Sequence, residues 1–407
     1  MDDVAAASSE RQSTSRSWAL LGFFGVFCVV AFAVALWPRE SPVTGPVATT
    51  TPVPPAPATI DGWTPYWVLD RILEQPDSGA SRLSNLREVS PFWFSVTGFD
   101  AIDSDTFTPD DLAEEYIGQL QNAGVAIVPS LLDRMDAGQM ATILSNPVVR
   151  SAHVVAIREF AEQLDADGID IDYEQFAFAD DPSTWIATRP NWIDFIAELS
   201  VGLHDDGRTL SVSIPAVYDE RVTGDRGYWV YDHGAIAEYV DSLRIMAYDY
   251  SVVEPGPIAP LDWFEQVIDG VLLAVPQQFH ERIVLGIGSY GYNWPTTVIG
   301  ECPEDAPGRT GVNPGTLDDL ISRRGIEPVA DVVTGEWTAT YELTVDNGVT
   351  QCVQTRQLHW IDADGVALRV EMARRAGIEG VALWALGYED DEVWNALISS
   401  STRNLIP

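Results

Sequence analysis

A row of acidic residues at positions 167–174 is the clearest sign of chemistry in this sequence. The segment reads Asp-Gly-Ile-Asp-Ile-Asp-Tyr-Glu. Side chains alternate along a β-strand, so Asp170, Asp172 and Glu174 share one face, with two isoleucines and a tyrosine on the other. Crowding and burial raise the pKa of at least one such carboxyl, which provides a proton donor at neutral pH. The row therefore predicts a catalytic acid at the end of a buried strand.

Two other interpretations of the acidic row are weaker. A solvated edge strand does not fit, because the intervening residues are apolar. Carboxylates also suit hard cations, but the spacing of a calcium-binding EF-hand loop is absent, since Ile169 follows Gly168. The five histidines show no ligand spacing. We therefore expect no metal and no cofactor, and we favour an acid site that donates a proton.

The charge balance argues against one class of partner. The chain has 61 Asp and Glu against 23 basic residues, a formal net charge of -38, and none of the basic residues is Lys. No segment resembles a basic patch, so we expect no nucleic-acid partner.

The N-terminal region predicts export. Residues 18–37 carry no charge and are long enough to span a membrane as a helix. Arg11 and Arg16 precede this run, which favours an N-terminus inside the cell and the bulk of the chain outside. We expect a cytoplasmic tail at 1–17, a signal anchor at 18–37 and a Pro/Thr-rich linker at 38–59.

The alternative is a cleaved signal peptide, because Ala33-Val34-Ala35 resembles an A-x-A cleavage site. The apolar run is long for a signal peptide, and this favours the uncleaved anchor. In both cases the larger part of the chain is exported.

Residues 60–401 alternate between strand-like and helix-like segments, which predicts parallel βα units. Eight strands with helices between them make a (β/α)8 TIM barrel, in which the active site lies at the C-terminal ends of the strands. The predicted strands are residues 60–67, 89–96, 124–131, 167–174, 209–216, 240–250, 282–288 and 380–386. The predicted helices are residues 112–123, 148–164, 192–207, 263–275 and 365–376. A short tail is expected at 402–407.

The segment between the seventh and eighth strands is too long for one helix. Its residues alternate on both sides of Asp346-Asn347-Gly348, and Asn-Gly between such runs predicts a hairpin. We expect an α+β insertion at 299–357 that walls one side of the cleft. Cys302 and Cys352 are the only cysteines outside the apolar N-terminal run, so an exported domain favours a disulfide between them.

Aromatic residues near the predicted strand ends are candidates for stacking contacts with a ligand. Trp67, Trp93 and Tyr292 belong to this group, although a single aromatic residue is more often part of the core.

The acidic row resembles the DGxDxDxE signature of family 18 glycoside hydrolases, the chitinase-like family. Met246-Ala247-Tyr248-Asp249 resembles the family's M-x-Y-D motif, and Trp384 resembles its tryptophan on strand eight. The segments 359–362 and 380–394 look most similar to the branch that degrades spore cortex and peptidoglycan. Many chitinases carry S-x-G-G on strand three, whereas residues 127–132 here read Ile-Val-Pro-Ser-Leu-Leu, which also favours the cell-wall branch.

The resemblance implies substrate-assisted, retaining hydrolysis of β-1,4-linked N-acetylglucosamine glycans, with peptidoglycan preferred over chitin. Glu174 would be the acid and base, Asp172 would hold the substrate's acetamido group, and Asp170 would exchange a proton with Asp172. Tyr248 would also bind the acetamido group. Substrate contacts are expected from Trp384, Asp249, Met246, Trp67, Trp93 and Tyr292. A non-catalytic sugar-binding barrel is the alternative, and the presence of Glu174 argues against it.

Overall fold

Eight parallel strand positions form a closed barrel in the computed structural model, which describes residues 59–74, 82–104, 110–217 and 228–402. The strands are β1 (Thr59–Pro65), β2 (Glu88–Phe92), β3 (Phe94–Gly98), β4 (Ala101–Ser104), β5 (Ala126–Ile127), β6 (Ser130–Asp133), β7 (Gly168–Asp172), β8 (Thr209–Pro215), β9 (Ser242–Met246), β10 (Ile283–Gly288), β11 (Gly291–Gly300), β12 (Thr310–Val312), β13 (Val329–Asp331), β14 (Glu336–Asp346), β15 (Gln351–Trp360) and β16 (Gly380–Trp384).

The barrel closes because β1 pairs in parallel with both β2 and β16. Two strand positions are interrupted: β2 continues as β3 after Trp93, and β5 continues as β6 after Pro129. The order around the ring is then β1, β2/β3, β5/β6, β7, β8, β9, β10 and β16. The predicted α/β barrel is confirmed, with the acidic strand in fourth position.

The helices lie between the strands and cover the barrel. They are α1 (Leu69–Leu73), α2 (Asp110–Ala123), α3 (Gln139–Ser145), α4 (Pro147–Gln163), α5 (Gln175–Phe178), α6 (Trp185–Asp205), α7 (His233–Ile236), α8 (Leu261–Ala274), α9 (Pro314–Arg324), α10 (Ala363–Arg375) and α11 (Asp391–Thr402). Local signals set some of their ends. The Asn146 side chain accepts hydrogen bonds from the first turn of α4, and Asp362 caps α10 in the same way.

One helix begins seven residues before its predicted start. α6 starts at Trp185 rather than at 192, and it includes Pro190. Proline in a helix interior removes a backbone donor, so the sequence pattern placed the start after it. Trp185 and Thr188 are buried in these first turns, so packing stabilises the helix before Pro190.

A second, five-stranded sheet is inserted between β10 and β16, in the order β12-β11-β15-β14-β13. Its elements run from Gly291 to Trp360, wider than the predicted 299–357, because β11 follows β10 after only two residues. The predicted hairpin turn is present between β14 and β15, where Asn347 Oδ1 accepts from two backbone N–H groups and Gly348 has a positive φ of 82°. Cys302 and Cys352 form a disulfide that ties the segment after β11 to β15.

The predicted anchor at 18–37 and most of the predicted linker lie outside the described residues, as does most of the predicted C-terminal tail. Thr59, assigned to the linker from sequence, is the first residue of β1. In the described part of the chain, no single helix has the length and apolar character needed to cross a membrane. One bent pair, α3 with α4, meets that criterion by length and composition alone.

Candidate active site

The acidic strand places its carboxylates as its alternation predicts. In β7, Ile169 and Ile171 are fully buried on the outer face, against the helices, while Asp170 and Asp172 point into the barrel. Glu174 follows the end of β7 and immediately precedes α5. The three carboxyls therefore rise from the barrel interior to its C-terminal mouth.

Asp170 lies deepest and is surrounded by hydrogen-bond donors. Trp63 Nε1 donates to Oδ2 over 3.1 Å, Ser130 Oγ donates to Oδ2 over 2.7 Å, and Ser213 Oγ lies 2.8 Å from Oδ1. The fully buried Arg244 adds an ion pair, with Nη1 at 3.2 Å from Oδ2. These partners come from four different strands, and together they fix the position of the carboxylate inside the barrel.

Asp172 and Glu174 have a different environment. One oxygen of Asp172 is buried with no hydrogen-bond partner, and the Asp172 carboxyl makes a hydrogen bond with Glu174. Burial, followed by the charge of Glu174, raises the pKa of Asp172 well above its usual value. Burial also raises the pKa of Glu174 to about 7, with further contributions from Asp133 and Asp249. The pair therefore holds a proton at neutral pH, as a general acid requires.

Asp133 is a functional candidate that the sequence reading missed. It ends β6, and its carboxylate accepts hydrogen bonds from the backbone N–H groups of Gln175 and Phe176, over 2.7 and 2.8 Å. This contact fixes the start of α5 beside Glu174, and burial raises the pKa of Asp133 to about 6. A carboxylate at the C-terminal end of a barrel strand was the signal available in the sequence.

An aromatic cluster surrounds the carboxyls. The rings of Tyr248 and Trp384 stack at a centroid distance of 6.3 Å, and Trp63 packs edge-on against both. The peptide bond between Trp384 and Ala385 is cis. Burial raises the pKa of Tyr248 well above 10, so its hydroxyl remains protonated and able to donate.

Asp249 lies beside this cluster in a left-handed backbone conformation, with φ at 60°. Its Oδ1 accepts hydrogen bonds from Tyr290 and from Tyr292, the latter over 2.8 Å. Two phenol groups from the segment after β10 thus hold the carboxylate at the mouth of the barrel.

These groups open into a cleft of about 1040 Å³. Of the residues predicted from sequence, the following line it: Asp172, Glu174, Tyr248, Trp384, Asp249, Met246, Trp67 and Tyr292. The insertion forms part of the wall through Val312, Asn313 and Thr316, as expected. Trp67 is half exposed, and its Nε1 donates to the Tyr388 hydroxyl over 2.9 Å.

The prediction that Trp93 contacts substrate is wrong. Its side chain is only 4% exposed and packs in the core, and its Nε1 donates to the Thr64 carbonyl over 2.8 Å. The preceding residue, Phe92, faces the cleft and lies edge-on to Trp384. Adjacent strand residues point to opposite faces, so only one of this pair can line the cleft.

Among the described residues, no group of three or more His, Cys, Asp or Glu side chains is arranged to hold a metal ion. The cleft instead offers a protonated carboxyl pair, a phenol donor and aromatic faces. This combination is suited to acid-catalysed cleavage of a sugar polymer.

The profile of the Glycosyl hydrolases family 18 matches residues 96–389, which include the acidic row, the Tyr248 motif and Trp384. The chain belongs to glycosyl hydrolase family 18. The acidic row and the resemblance therefore predicted the family correctly.

The chain is similar to two proteins of Bacillus subtilis. The chain is 25% identical to the putative sporulation-specific glycosylase YdhD of Bacillus subtilis over 60% of its own length and 52% of that protein's. It therefore spans about half of that relative. It is 23% identical to the cortical fragment-lytic enzyme of Bacillus subtilis, over 79% of this chain and 71% of that enzyme.

Solved structures show the same fold. A chitinase from Chromobacterium violaceum aligns with a TM-score of 0.67 at 24% identity, covering 85% of this chain and 99% of the other. The spore cortex-lytic enzyme SleL of Bacillus megaterium also aligns with a TM-score of 0.67 at 16% identity, covering 88% of this chain and 77% of the other.

Proposed function

We propose that this family 18 enzyme cleaves β-1,4-linked N-acetylglucosamine glycans with retention of configuration, using Glu174 as its acid and base. The observation that carries this proposal is the hydrogen-bonded Asp172–Glu174 pair beside Tyr248 and Trp384 in the cleft. A carboxyl whose pKa is about 7 is protonated often enough at neutral pH to act as a donor, and the same group then acts as a base.

The proposed reaction has two steps. In the first, Glu174 protonates the glycosidic oxygen while the substrate's own acetamido oxygen attacks the anomeric carbon, which breaks the glycosidic bond and gives an oxazolinium-type intermediate. Asp172 accepts the acetamido N–H and Tyr248 donates to the acetamido oxygen. In the second step, Glu174 removes a proton from a water molecule, and the water oxygen attacks the anomeric carbon. It attacks from the face that the leaving group occupied, so the ring of the intermediate opens and the configuration is retained.

We propose peptidoglycan as the preferred glycan, with chitin as the alternative. The names of two relatives, a sporulation-specific glycosylase and a cortical fragment-lytic enzyme, support this preference. The third strand position supports it as well, because residues 127–132 lack the S-x-G-G of many chitinases.

We further propose that the enzyme is exported and held at the membrane by residues 18–37. The disulfide between Cys302 and Cys352 supports export, because disulfides persist mainly in oxidising compartments. Fractionation of cells that express the full chain, with protease added outside, tests this. Protection of the barrel from the protease would contradict it.

The decisive experiment compares Glu174→Gln with the native enzyme on purified peptidoglycan and on chitin oligomers. We expect turnover to fall by roughly 10²- to 10⁴-fold, the usual contribution of a general acid, while binding to the glycan is kept. Mass spectrometry of the new reducing sugar identifies the bond cleaved. Glu162→Gln, an exposed carboxylate on α4, is the matched control.

Unchanged turnover in Glu174→Gln would remove this residue as the acid. Binding without turnover by the native protein would instead support the sugar-binding alternative.

A further inference from the structure

One basic side chain lines the cleft. Arg71, which belongs to α1, borders the cleft together with Trp67, Tyr388 and the insertion residue Asn313. Among the residues that the structure describes, no other Arg or His side chain belongs to this lining, and its other charged groups are carboxyls. A single cation in an otherwise acidic cleft therefore marks a place with a distinct ligand preference.

The guanidinium of Arg71 is held by two neutral oxygens. Its Nη1 donates to Asn313 Oδ1 over 3.0 Å, and its Nη2 donates to the Glu389 carbonyl over 3.3 Å. The Glu389 carboxylate is engaged elsewhere, with Arg82 at 3.1 Å and with the backbone N–H of Gly387. Within the described part of the chain, Arg71 thus makes no ion pair with a carboxylate, and a guanidinium has more N–H donors than these two contacts use.

The insertion is shaped to receive this arginine. Gly315 lies against the guanidinium, and a Cβ at that position would stand 1.4 Å from Arg71 Nη2. Asn313 is the N-cap residue of α9, yet its side chain makes no capping hydrogen bond and accepts from Arg71 instead. Asparagine at an N-cap ordinarily stabilises its own helix. The insertion therefore gives up a local contact in order to hold the guanidinium at the cleft wall.

A carboxylate is the ligand chemistry that suits this guanidinium. Hydrogen bonds between the two groups are charge-assisted and stronger than those between neutral groups. The net charge of -38 repels anions at a distance, so a local cation is needed to hold one in the cleft. Chitin is neutral, whereas peptidoglycan carries carboxylates on peptide-free lactyl ethers and on its stem peptides. The half-exposed ring of Trp67 lines the same part of the cleft and offers an apolar face to a sugar ring.

We propose that Arg71 is a specificity-determining residue that binds a carboxylate carried by the glycan, so that the cleft favours acidic glycans of the peptidoglycan type over neutral chitin. This inference rests on the proposed function, in which an N-acetylglucosamine glycan occupies the cleft. Arg71 takes no part in the proton transfer, and its contribution is to the binding of the acidic substituent.

The first test changes the substrate and keeps the native enzyme. A soluble peptide-free peptidoglycan oligomer with free lactyl carboxylates is compared with its methyl amide, and an oligomer with intact stem peptides is compared with its own methyl amide. In at least one pair we expect kcat/KM to fall about tenfold to a hundredfold on amidation, the usual effect of losing a hydrogen bond to a charged group. The pair that shows the fall identifies the source of the carboxylate. No fall in either pair would overturn the proposal.

The second test changes the arginine. In Arg71→Gln the ratio of kcat/KM for the acid to that for its amide should approach one, with the loss in KM, because a contact made equally in the ground and transition states affects binding alone. Arg71→Lys keeps the charge without the planar fork and should retain part of the ratio. Arg323→Gln is the matched control, since it removes an exposed positive charge from α9 outside the cleft lining, and it should keep the native ratio.

A native ratio in Arg71→Gln, or an equal loss in Arg323→Gln, would contradict the proposal. If Arg71→Gln does not fold, Gly315→Ala displaces the guanidinium without removing its charge and should lower the ratio. An unchanged ratio in that variant overturns the proposal equally.

A binding measurement separates this inference from the proposed function. Calorimetry with Glu174→Gln, and with the double variant Glu174→Gln/Arg71→Gln, compares acid with amide without turnover. We expect the first to bind the acid about tenfold to a hundredfold more tightly than the amide, and the double variant to bind both alike. Absence of cleavage by the native enzyme would refute the proposed function, whereas equal binding of acid and amide by Glu174→Gln would refute the role of Arg71.

Discussion

The protonation of Glu174 sets a defined pH dependence for this enzyme. Burial is the largest cause that raises its pKa from 4.5 to about 7, followed by the charges of Asp133 and Asp249. The first step needs the protonated form, so kcat/KM should fall as pH rises through 7, tenfold for each pH unit above it. At pH 7 about half of the Glu174 population is protonated, whereas a carboxyl with the ordinary pKa of 4.5 is protonated in roughly 0.3% of molecules. The raised pKa therefore increases the protonated fraction about 150-fold.

Asp249→Asn tests this electrostatic explanation. The substitution removes a negative charge that faces Glu174, and asparagine tolerates the positive φ of 60° at this position. Its amide oxygen can still accept from Tyr290 and Tyr292. Removing a like charge lowers the pKa of Glu174, so the alkaline limb of the kcat/KM profile should move to lower pH.

We expect a displacement of roughly half a pH unit, because Asp249 contributes less than burial and less than Asp133. The ratio of kcat/KM at pH 8 to that at pH 6 should then fall about 2.5-fold. The assay is kcat/KM on a soluble glycan from about pH 5 to about pH 9. Asp269→Asn, an exposed carboxylate on α8, is the control and should leave the limb in place. An upward displacement in Asp249→Asn, or an equal displacement in the control, would refute the reasoning.

Three further predictions concern the same site and its support. Asp172→Asn should lower kcat sharply for acetamido sugars while leaving the fold intact, because it removes the acceptor for the acetamido N–H, and a near-normal rate would contradict that role. NMR of the first-formed product should show the retained anomer, and the inverted anomer would exclude the substrate-assisted scheme. Thiol labelling should find Cys302 and Cys352 blocked until reduction, and replacing both with Ala should lower the free energy of unfolding by about 4 kcal/mol, given the 50-residue separation that the disulfide spans. Ready labelling without a reductant, or unchanged stability, would show that the bond is absent or unimportant.

The features that the sequence predicted well depend on local information. Alternation with a period of two places Asp170 and Asp172 on one face of β7 wherever that strand lies in the fold. The turn at Asn347 and Gly348 is equally local, since it depends on a side-chain acceptor and a positive φ within four residues. The alternation of strands and helices was sufficient to predict the barrel and hence the position of Glu174 at its mouth.

Other features required contacts between distant segments. Whether Phe92 or Trp93 faces the cleft depends on where the second strand position is interrupted, and neighbouring strands decide this. The early start of α6 depends on packing that outweighs Pro190.

By itself, then, the sequence determined which residues could carry a proton and on which face of a strand they lie, because strand geometry repeats every two residues. Only the tertiary structure decided which carboxyl carries it. Arg244 lies 74 positions from Asp170 along the chain, and barrel closure brings the two side chains within 3.2 Å. Coulomb interactions act through space, so burial and the charges of Asp133 and Asp249, which are distant from Glu174 in sequence, together raise the pKa of Glu174 to about 7.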